Sequence, residues 1–368
     1  MAPGVLRRLV FVSEVYNEVR ACSSHFFVLE HYLRIATRKP ENWLSTLRVL
    51  TGSPRLSQEF EPSALPDAFC ARMSFLPAES INLCGLYVNS ALNVFGLNAG
   101  KEAIIMPVEG AVEFKVGDRS FVSAPGIPFV LEPNVEFIAN LSPDTHVFIV
   151  QMGTETTSDR CFSFENGDLN LGKILDSYLV ETPFFKSHAH AVDRSTRFEQ
   201  ALLAYSRRGV SDTHGADARV LVDDDRRLCR ALVLINERLY EGIELESIAR
   251  DSGLSLRNLY YLMKKYTGMT PSGYCRSRRL IKARESLIRN HPEDRRVSGH
   301  ALKWGFNHLG RFSSYYFEHF GEYPSDTTQC LESMTRHAEQ VVSAEYTVAG
   351  QKRRCFSCVT TDTEDNNN

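Results

Sequence analysis

The sequence predicts a protein with a β-rich N-terminal part and an all-α C-terminal part. Three observations support this fold class. Residues from about 70 to 152 contain short apolar runs that alternate with turn signals, as in antiparallel sheets. From about residue 168 the apolar spacing becomes helical. Within 226–331, a short helix, a glycine turn and a second helix occur twice, which is the order of a helix-turn-helix motif.

The composition is that of a globular protein, but its charge is unevenly distributed. The 368 residues are 43% hydrophobic and 24% charged, and this length suits about two domains. Residues 226–331 contain 18 lysines and arginines against 11 aspartates and glutamates, a net charge of +7. Because the whole chain has a net charge of −3, the remaining residues have a net charge of −10. A basic block beside an acidic remainder is typical of a nucleic-acid-binding module.

We expect a cytoplasmic protein, associated with the nucleoid when bound to DNA, and no membrane association. No window has the roughly 20 consecutive apolar residues that a transmembrane helix needs. Residues 1–13 contain two arginines and only a short apolar patch, unlike a secretory signal. The nine cysteines are scattered along the chain and do not resemble a disulfide framework. A reducing compartment is the simpler interpretation.

A hairpin is the clearest element of the β-rich part. Residues 111–116 lead into Gly117-Asp118, and a second run follows at 119–122, which predicts two strands joined by a two-residue turn. Further strands are expected at 127–131, 135–139 and 147–150. Short strands at this spacing favour a small barrel or jelly roll.

Helices are expected after the strands. Leu171, Leu175 and Tyr178 share one helical face, and residues 198–205 contain another. Such helices would pack on the barrel or against a second copy of the protein.

The patterns divide the chain into five parts. Residues 1–60 predict no particular structure, although the spacing at 15–37 is helical in places. The parts are residues 1–60, a barrel with helices at 61–206, a polar linker at 207–225, a helical domain at 226–331 and a disordered tail at 332–368.

The first helix-turn-helix motif is predicted at about 245–266. Its short helix ends at Gly253, which can adopt the left-handed conformation of a sharp turn. Ser255 then caps a second helix that runs to about Thr267. The apolar stripe of this helix is formed by Leu259, Leu262, Met263 and Tyr266. Its other face carries Arg257, Tyr260, Tyr261 and Lys264.

A long helix joins this motif to a second one at about 297–320. The long helix begins at Pro271 and carries six basic residues, Arg276, Arg278, Arg279, Lys282, Arg284 and Arg289. Its roughly 19 residues span about 28 Å, close to the roughly 34 Å of one turn of B-DNA. In the second motif the turn is Gly305-Phe306, and the apolar stripe is Phe312, Tyr316, Phe317 and Phe320. One monomer could therefore insert helices into two successive major grooves.

The helical domain resembles the DNA-binding domain of the AraC/XylS family of bacterial transcription regulators. The matching residues are Ile248-Ala249, Gly253-Leu254-Ser255, Leu259, Gly268, Pro271, Tyr274, Arg279-Leu280, Ala283, Gly305-Phe306, Phe312, Phe320-Gly321 and Pro324. Residues 308–312 and 320–327 are especially similar to the XylS branch. The resemblance implies a cupin-like jelly roll that holds a small effector, which the XylS branch suggests is an aromatic acid. It also implies a homodimer supported by helices near 168–206, and contact with RNA polymerase.

The family's DNA contacts can be transferred to matching positions. The resemblance implies base contacts at Arg257, Tyr260 and Tyr261 in the first motif and at Leu309, Arg311, Ser313 and Ser314 in the second. Ser255, Asn258 and Lys264 of the first motif are also expected to contact DNA. Arg278 and Arg279 are expected to be structural or to face phosphates. One position departs from the family: His300, preceded by Gly299, stands where an apolar residue is usual. Glycine within a helix costs about 1 kcal/mol, so a less stable short helix is expected.

These observations favour an effector-responsive activator and leave two alternatives open. One is a DNA-binding regulator that is controlled by a partner protein and senses no ligand. The other is a cupin-type enzyme fused to a DNA-binding domain, but residues 70–140 contain no histidine to hold a metal.

We expect no enzyme activity, no cofactor and no metal. His188 and His190 have no nearby carboxylate in a matching motif, and Cys355 and Cys358 would need two further ligands to hold zinc. No glycine-rich phosphate loop or G-x-S-x-G motif is present.

Overall fold

The computed structural model describes seven segments of the chain. They are residues 27–60, 69–98, 100–152, 165–208, 223–240, 242–289 and 296–329. Most of the predicted linker, the predicted tail at 332–368 and the Cys355/Cys358 pair lie outside these described residues.

Two antiparallel sheets form the β-rich part. The strands are β1 (Leu33–Thr37), β2 (Ser57–Phe60), β3 (Ala71–Pro77), β4 (Ile81–Val88), β5 (Leu92–Leu97), β6 (Ala103–Glu109), β7 (Val112–Val116), β8 (Arg119–Ser123), β9 (Phe129–Leu131), β10 (Glu136–Leu141) and β11 (Thr145–Met152). One sheet has the order β1-β3-β4-β11-β6-β9 and the other β2-β5-β10-β7-β8. The predicted hairpin is confirmed as β7–β8, and the fold class as a β-sandwich of two antiparallel sheets followed by a helical domain.

The described end of the segment at 15–37, for which the sequence predicted no particular structure, contains a 3-10 turn and strand β1. Strand β1 pairs with β3. A strand at a sheet edge is decided by its partner strand rather than by local periodicity. The strand expected at 127–131 is also shorter, since only Phe129–Leu131 pairs, with β6.

Strand β11 shows how the alternation of side chains builds two cores. Val147, Ile149 and Gln151 face the interior between the sheets. Phe148 and Val150 face outward and are fully buried under the helices that follow. Period-2 alternation therefore separates a core inside the barrel from a second core outside it.

Three α-helices among the described residues belong to this part of the fold. Helix α1 (Pro40–Thr51) adds Leu47 and Thr51 to the barrel's interior lining. Helices α2 (Leu169–Leu179) and α3 (His188–Arg208) cover the outer face of the six-stranded sheet. Tyr178 stacks on Phe198 with ring centroids 4.4 Å apart and lies 5.9 Å from Phe148. The expected apolar faces of α2 and α3 are thus used within the chain, on the barrel.

The helical domain contains both expected motifs. Its helices are α4 (Asp223–Glu237), α5 (Leu245–Asp251), α6 (Leu256–Tyr266), α7 (Pro271–Arg289), α8 (Val297–Lys303) and α9 (Leu309–Phe320). The turns between α5 and α6 and between α8 and α9 contain Gly253 at φ 73° and Gly305 at φ 81°. Only glycine takes this left-handed conformation without steric cost, so the two glycines allow the sharp reversal that each motif needs.

One expectation for the second motif needs correction, and the unusual His300 has a structural explanation. Phe317 is 46% exposed and stacks on Tyr323, because the buried stripe of α9 follows the i, i+4 spacing of Phe312, Tyr316 and Phe320. His300 is buried, and its Nδ1 lies 2.8 Å from Ser286 Oγ in a hydrogen bond. This bond to α7 gives the imidazole a polar partner at a position where an apolar residue was expected.

Helix α7 carries a buried charge at the contact between the two parts of the chain. Arg284 is 1% exposed, and its Nη1 lies 2.7 Å from Glu322 Oε1. Its Nε donates a hydrogen bond to the carbonyl of Leu33 in β1. Arg34 pairs with the second oxygen of Glu322 at 2.8 Å. Strand β1, helix α7 and the segment after α9 therefore meet at one ion-pair network.

A second buried pair lies on the same helix. Arg278 bonds to Glu30, which lies in a short 3-10 turn before β1, and also donates to Asn236 Oδ1 of α4 at 2.7 Å. The apolar core outside the barrel is continuous with that of the first motif, and Phe184 lies 6.0 Å from Tyr274. The barrel and the helical domain thus share a packed interface.

Replacing Arg284 with alanine should strongly destabilise the fold. The change leaves Glu322 buried without its main partner, and breaking such a pair costs about 3–5 kcal/mol. Urea unfolding of the full chain measures the effect. The control is Arg289→Ala on the same helix. The Arg289 side chain is 44% exposed, and its ion pair with Glu285 should contribute less than about 1 kcal/mol. Equal losses in the two variants would contradict the assignment.

Glu322 should also make stability depend on acid pH. Burial alone would raise its pKa, but the charges of Arg284 and Arg34 outweigh burial and lower the pKa from 4.5 to about 2. The stabilisation is therefore complete above the unfolded pKa of 4.5 and is lost as the pH falls towards 2. Glu322→Gln should lose less unfolding free energy than the wild type over this window. The surface variant Glu318→Gln is the control and should depend on pH as the wild type does. If the unfolding free energy of Glu322→Gln fell with pH as steeply as that of the control, Glu322 would not cause the acid sensitivity.

Candidate nucleic-acid interface

Helix α6 begins at a capped N-terminus that is open to solvent. Ser255 has an extended backbone, and its Oγ accepts a hydrogen bond from the Asn258 N–H at 3.2 Å. This bond satisfies one of the amide groups that a helix leaves unpaired at its start. The sequence expectation of a Ser255 cap is confirmed.

The six residues expected to contact DNA in the first motif all lie at the surface of α6. They are Ser255, Arg257, Asn258, Tyr260, Tyr261 and Lys264. Tyr261 is 60% exposed and Tyr260 38%, which are high values for aromatic side chains. The opposite face is buried through Leu259, Leu262 and Met263. Because that face fixes the rotation of the helix, the polar face is fixed as well.

Helix α9 presents its N-terminal half in the same way. Leu309 is 45% exposed, Arg311 and Ser314 are exposed, and Ser313 is half-buried. Phe312, at 0% exposure, anchors the helix to α7 and α8. The Ser314 hydroxyl donates to the Gly310 carbonyl at 3.1 Å, so its oxygen retains capacity to accept a hydrogen bond. The four expected residues of the second motif are thus at or near the surface.

The basic residues of α7 divide into buried and accessible groups. Arg278 is held inside by Glu30, so of the two roles expected for it the structural one applies. Arg279 is half-buried, and its guanidinium lies beside Gly305 in the turn of the second motif. A Cβ atom added at Gly305 would lie 3.3 Å from Arg279 Nη1. Arg276 is exposed, and its guanidinium lies 4.6 Å from the centre of the Tyr315 ring. Cation–π contact of this kind orients the guanidinium.

An ion pair fastens the first motif to Arg238, the residue that follows α4. Arg238 Nη1 lies 2.6 Å from Asp251 Oδ2, and this hydrogen bond lowers the pKa of the Asp251 carboxyl. Asp251 is the last residue of α5, next to the turn that leads into α6. Its negative charge is therefore paired with Arg238.

The sequence pattern did not identify the residues that join the motifs to the barrel. Arg278 was expected to be structural or to face phosphates, whereas Arg284 and Glu322 had no predicted role. One signal was available, because Arg284 stands four residues from both Leu280 and Ile288, on a face that is otherwise apolar. A charge at such a position predicts a buried partner.

The two histidines considered as metal ligands have other roles. His188 Nδ1 lies 3.0 Å from the Tyr32 hydroxyl, and burial lowers the pKa of this histidine. His190 Nδ1 accepts a hydrogen bond from the Lys186 N–H. Within the described segments, no three histidine, cysteine, aspartate or glutamate side chains are grouped to hold a metal.

Comparisons with known proteins agree with this geometry. A family model described as a helix-turn-helix domain matches residues 248–329. The XylDLEGF operon transcriptional activator of Pseudomonas putida is 42% identical over 106 residues, which cover 28% of this chain and 33% of that protein. The XylDLEGF operon transcriptional activator 2 of the same organism is 38% identical over 109 residues, and the match covers 28% of this chain and 69% of that protein.

The chain belongs to the AraC/XylS family. Its members are transcription regulators and not enzymes. The match spans about a third of the length of the first of these Pseudomonas putida activators. The crystal structure of the AraC-like transcriptional activator CuxR overlaps 68% of this chain and 94% of its own, with 16% identity and a TM-score of 0.37. No helix among the described segments has the length and hydropathy to cross a bilayer.

Replacing Ser255 separates the two roles of the AraC/XylS interface, stability and DNA contact. Ser255→Ala removes the cap and should lower the free energy of unfolding by about 1 kcal/mol. Ser255→Asp keeps a capping oxygen and should retain stability, but its negative charge faces the phosphates and should weaken DNA binding. Urea unfolding and fluorescence anisotropy with duplex DNA measure the two effects. If Ser255→Asp bound DNA as tightly as the wild type, the cap would not face the duplex.

Proposed function

We propose that this chain is a transcription activator that inserts α6 and α9 into two adjacent major grooves of double-stranded DNA. The observation that carries the proposal is the shared construction of the two helices. Each follows a glycine turn, buries one apolar face and exposes the opposite polar face over its first turns. In a helix-turn-helix protein this part of the second helix contacts base edges.

The exposed side chains suit both tasks of such an interface. Arg257 and Arg311 can donate paired hydrogen bonds to guanine O6 and N7. Ser255, Asn258, Tyr260, Tyr261, Lys264, Ser313 and Ser314 can bond to bases or phosphates, and Leu309 can contact a thymine methyl group. Phosphate contacts fix the position of the protein on DNA, whereas base contacts select the sequence.

The proposal extends to the remainder of the chain. The barrel at 61–206, to which β1 and β2 add their residues, would hold a small effector. The domain at 226–331 would bind DNA. The DNA-bound protein would then contact RNA polymerase. The protein would work in the cytoplasm. A homodimer would use the helices near 168–206, whose exposed side chains include Leu169, Lys173 and Ser177.

Footprinting on promoter DNA tests the two-groove arrangement. The wild type should protect two major-groove segments whose centres are about 10–10.5 base pairs apart. Arg257→Ala should reduce protection in one segment and Arg311→Ala in the other, each at a cost of about 1–3 kcal/mol on the cognate site and much less on random DNA.

Arg197→Ala provides the matched control, because Arg197 is an exposed arginine on α3 that pairs only with a neighbouring aspartate on the same helix among the described contacts. It should leave both segments protected. A single protected segment, or equal losses on cognate and random DNA for both interface variants, would overturn the proposal.

A further inference from the structure

The interior of the barrel contains a cavity with an almost wholly apolar wall. It contains about 620 Å³ of empty space, counted out to the solvent at its mouth. Apolar side chains from both sheets line it, including Leu86, Val94, Phe114, Phe137, Leu141 and Ile149.

The wall contains no ionisable side chain among the described residues. Its four polar side chains are Thr51, Ser53, Asn98 and Gln151. The Asn98 amide already donates to the carbonyls of Lys101 and Glu132 at 2.6 and 3.0 Å, and the Thr51 hydroxyl donates to the Leu47 carbonyl at 2.7 Å. A carboxylate that entered this cavity would lose its hydration and meet no cation in the wall, which is strongly unfavourable.

Gln151 supplies one unused hydrogen-bond acceptor. The residue is 1% exposed, and its Nε2 donates to the Thr51 carbonyl at 3.1 Å. This bond fixes the orientation of the amide, because the carbonyl can only accept. Gln151 Oε1 is buried and has no hydrogen-bond partner among the described residues. A buried acceptor of this kind favours a ligand that brings a donor.

Two phenylalanines add aromatic surface to the wall. Phe114 stacks on Phe129, with ring centroids 4.1 Å apart and planes within 4°, and Phe137 faces the same cavity from β10. Rings held in this way offer flat surfaces and edges on which another ring can pack.

We propose that the cavity binds a small, uncharged aromatic compound with one hydrogen-bond donor, of the phenol class, whose hydroxyl donates to Gln151 Oε1. The inference rests on the proposed effector role of the barrel and specifies its ligand class. It replaces the aromatic acid that the XylS branch implies, because the wall lacks the cation that an acid needs.

Lys101 is the buried cation that could offer an alternative. It is 8% exposed. It lies close enough to Cys84, a buried residue of β4, for its charge to affect the pKa of the thiol. Burial raises the pKa of that thiol to about 12, and Lys101 opposes the shift. Its side chain is not part of the cavity wall, so its removal tests whether an acid reaches it.

Titration calorimetry on the full chain at pH 7 compares three probes of similar shape. They are 3-methylphenol, toluene and 3-methylbenzoate. We expect 3-methylphenol to bind, toluene to bind about 3- to 10-fold more weakly because it lacks the donor, and 3-methylbenzoate to bind at least about 100-fold more weakly.

The variant Gln151→Leu should abolish the difference between 3-methylphenol and toluene while toluene still binds. Gln200→Leu, at an exposed position on α3, serves as the matched control and should preserve the difference. Melting of each unliganded variant shows that it is folded. If Gln151→Leu fails to fold, the toluene comparison in the wild type still tests the donor requirement.

Two outcomes would overturn the ligand class. One is binding of 3-methylbenzoate as tight as that of 3-methylphenol, and its loss in Lys101→Met would identify the cation responsible. The other is no binding by any of the three probes. Neither outcome affects DNA footprinting, which tests the proposed DNA-binding function separately.

Discussion

The buried pair between Arg284 and Glu322 is the constraint on which the arrangement of the chain depends. A fully buried guanidinium is costly unless an opposite charge lies beside it. Here the carboxylate comes from the segment after α9 and a carbonyl from β1, while the arginine itself lies on α7. The three pieces therefore meet at one charge-paired contact. The same contact fixes the helix between the two motifs against the edge of the barrel.

Elements whose causes are local were predictable from the sequence. The cap at Ser255, the turns at Gly253 and Gly305 and the β7–β8 hairpin each depend on a few adjacent residues. Apolar periodicity then identified which face of α6 is buried, and so which side chains are exposed on it. The surface positions of the candidate DNA contacts follow from that local information.

Features that depend on distant partners were not predictable. Strand β1 pairs with β3, and its own sequence predicted no particular structure. Phe317 is as apolar as its neighbours, yet only the packing of α9 on α7 shows that it lies outside the buried stripe. The Gln151 amide is polar at a position that faces the interior. Its orientation depends on a hydrogen bond to Thr51, a hundred residues earlier in the chain. Such pairings join segments that no sequence window contains together.

The strengths of these contacts decide which parts of the molecule a ligand could move. The cavity touches α1 through Leu47 and Thr51, and only two residues separate α1 from β1, which packs on α7. Breaking the buried pair on α7 costs about 3–5 kcal/mol, whereas a ligand that prefers one state tenfold supplies only about 1.4 kcal/mol. A small ligand with such a preference therefore cannot separate β1 from α7. Any effect that it has on the DNA-binding motifs must leave this contact intact and move the strand and the helix together.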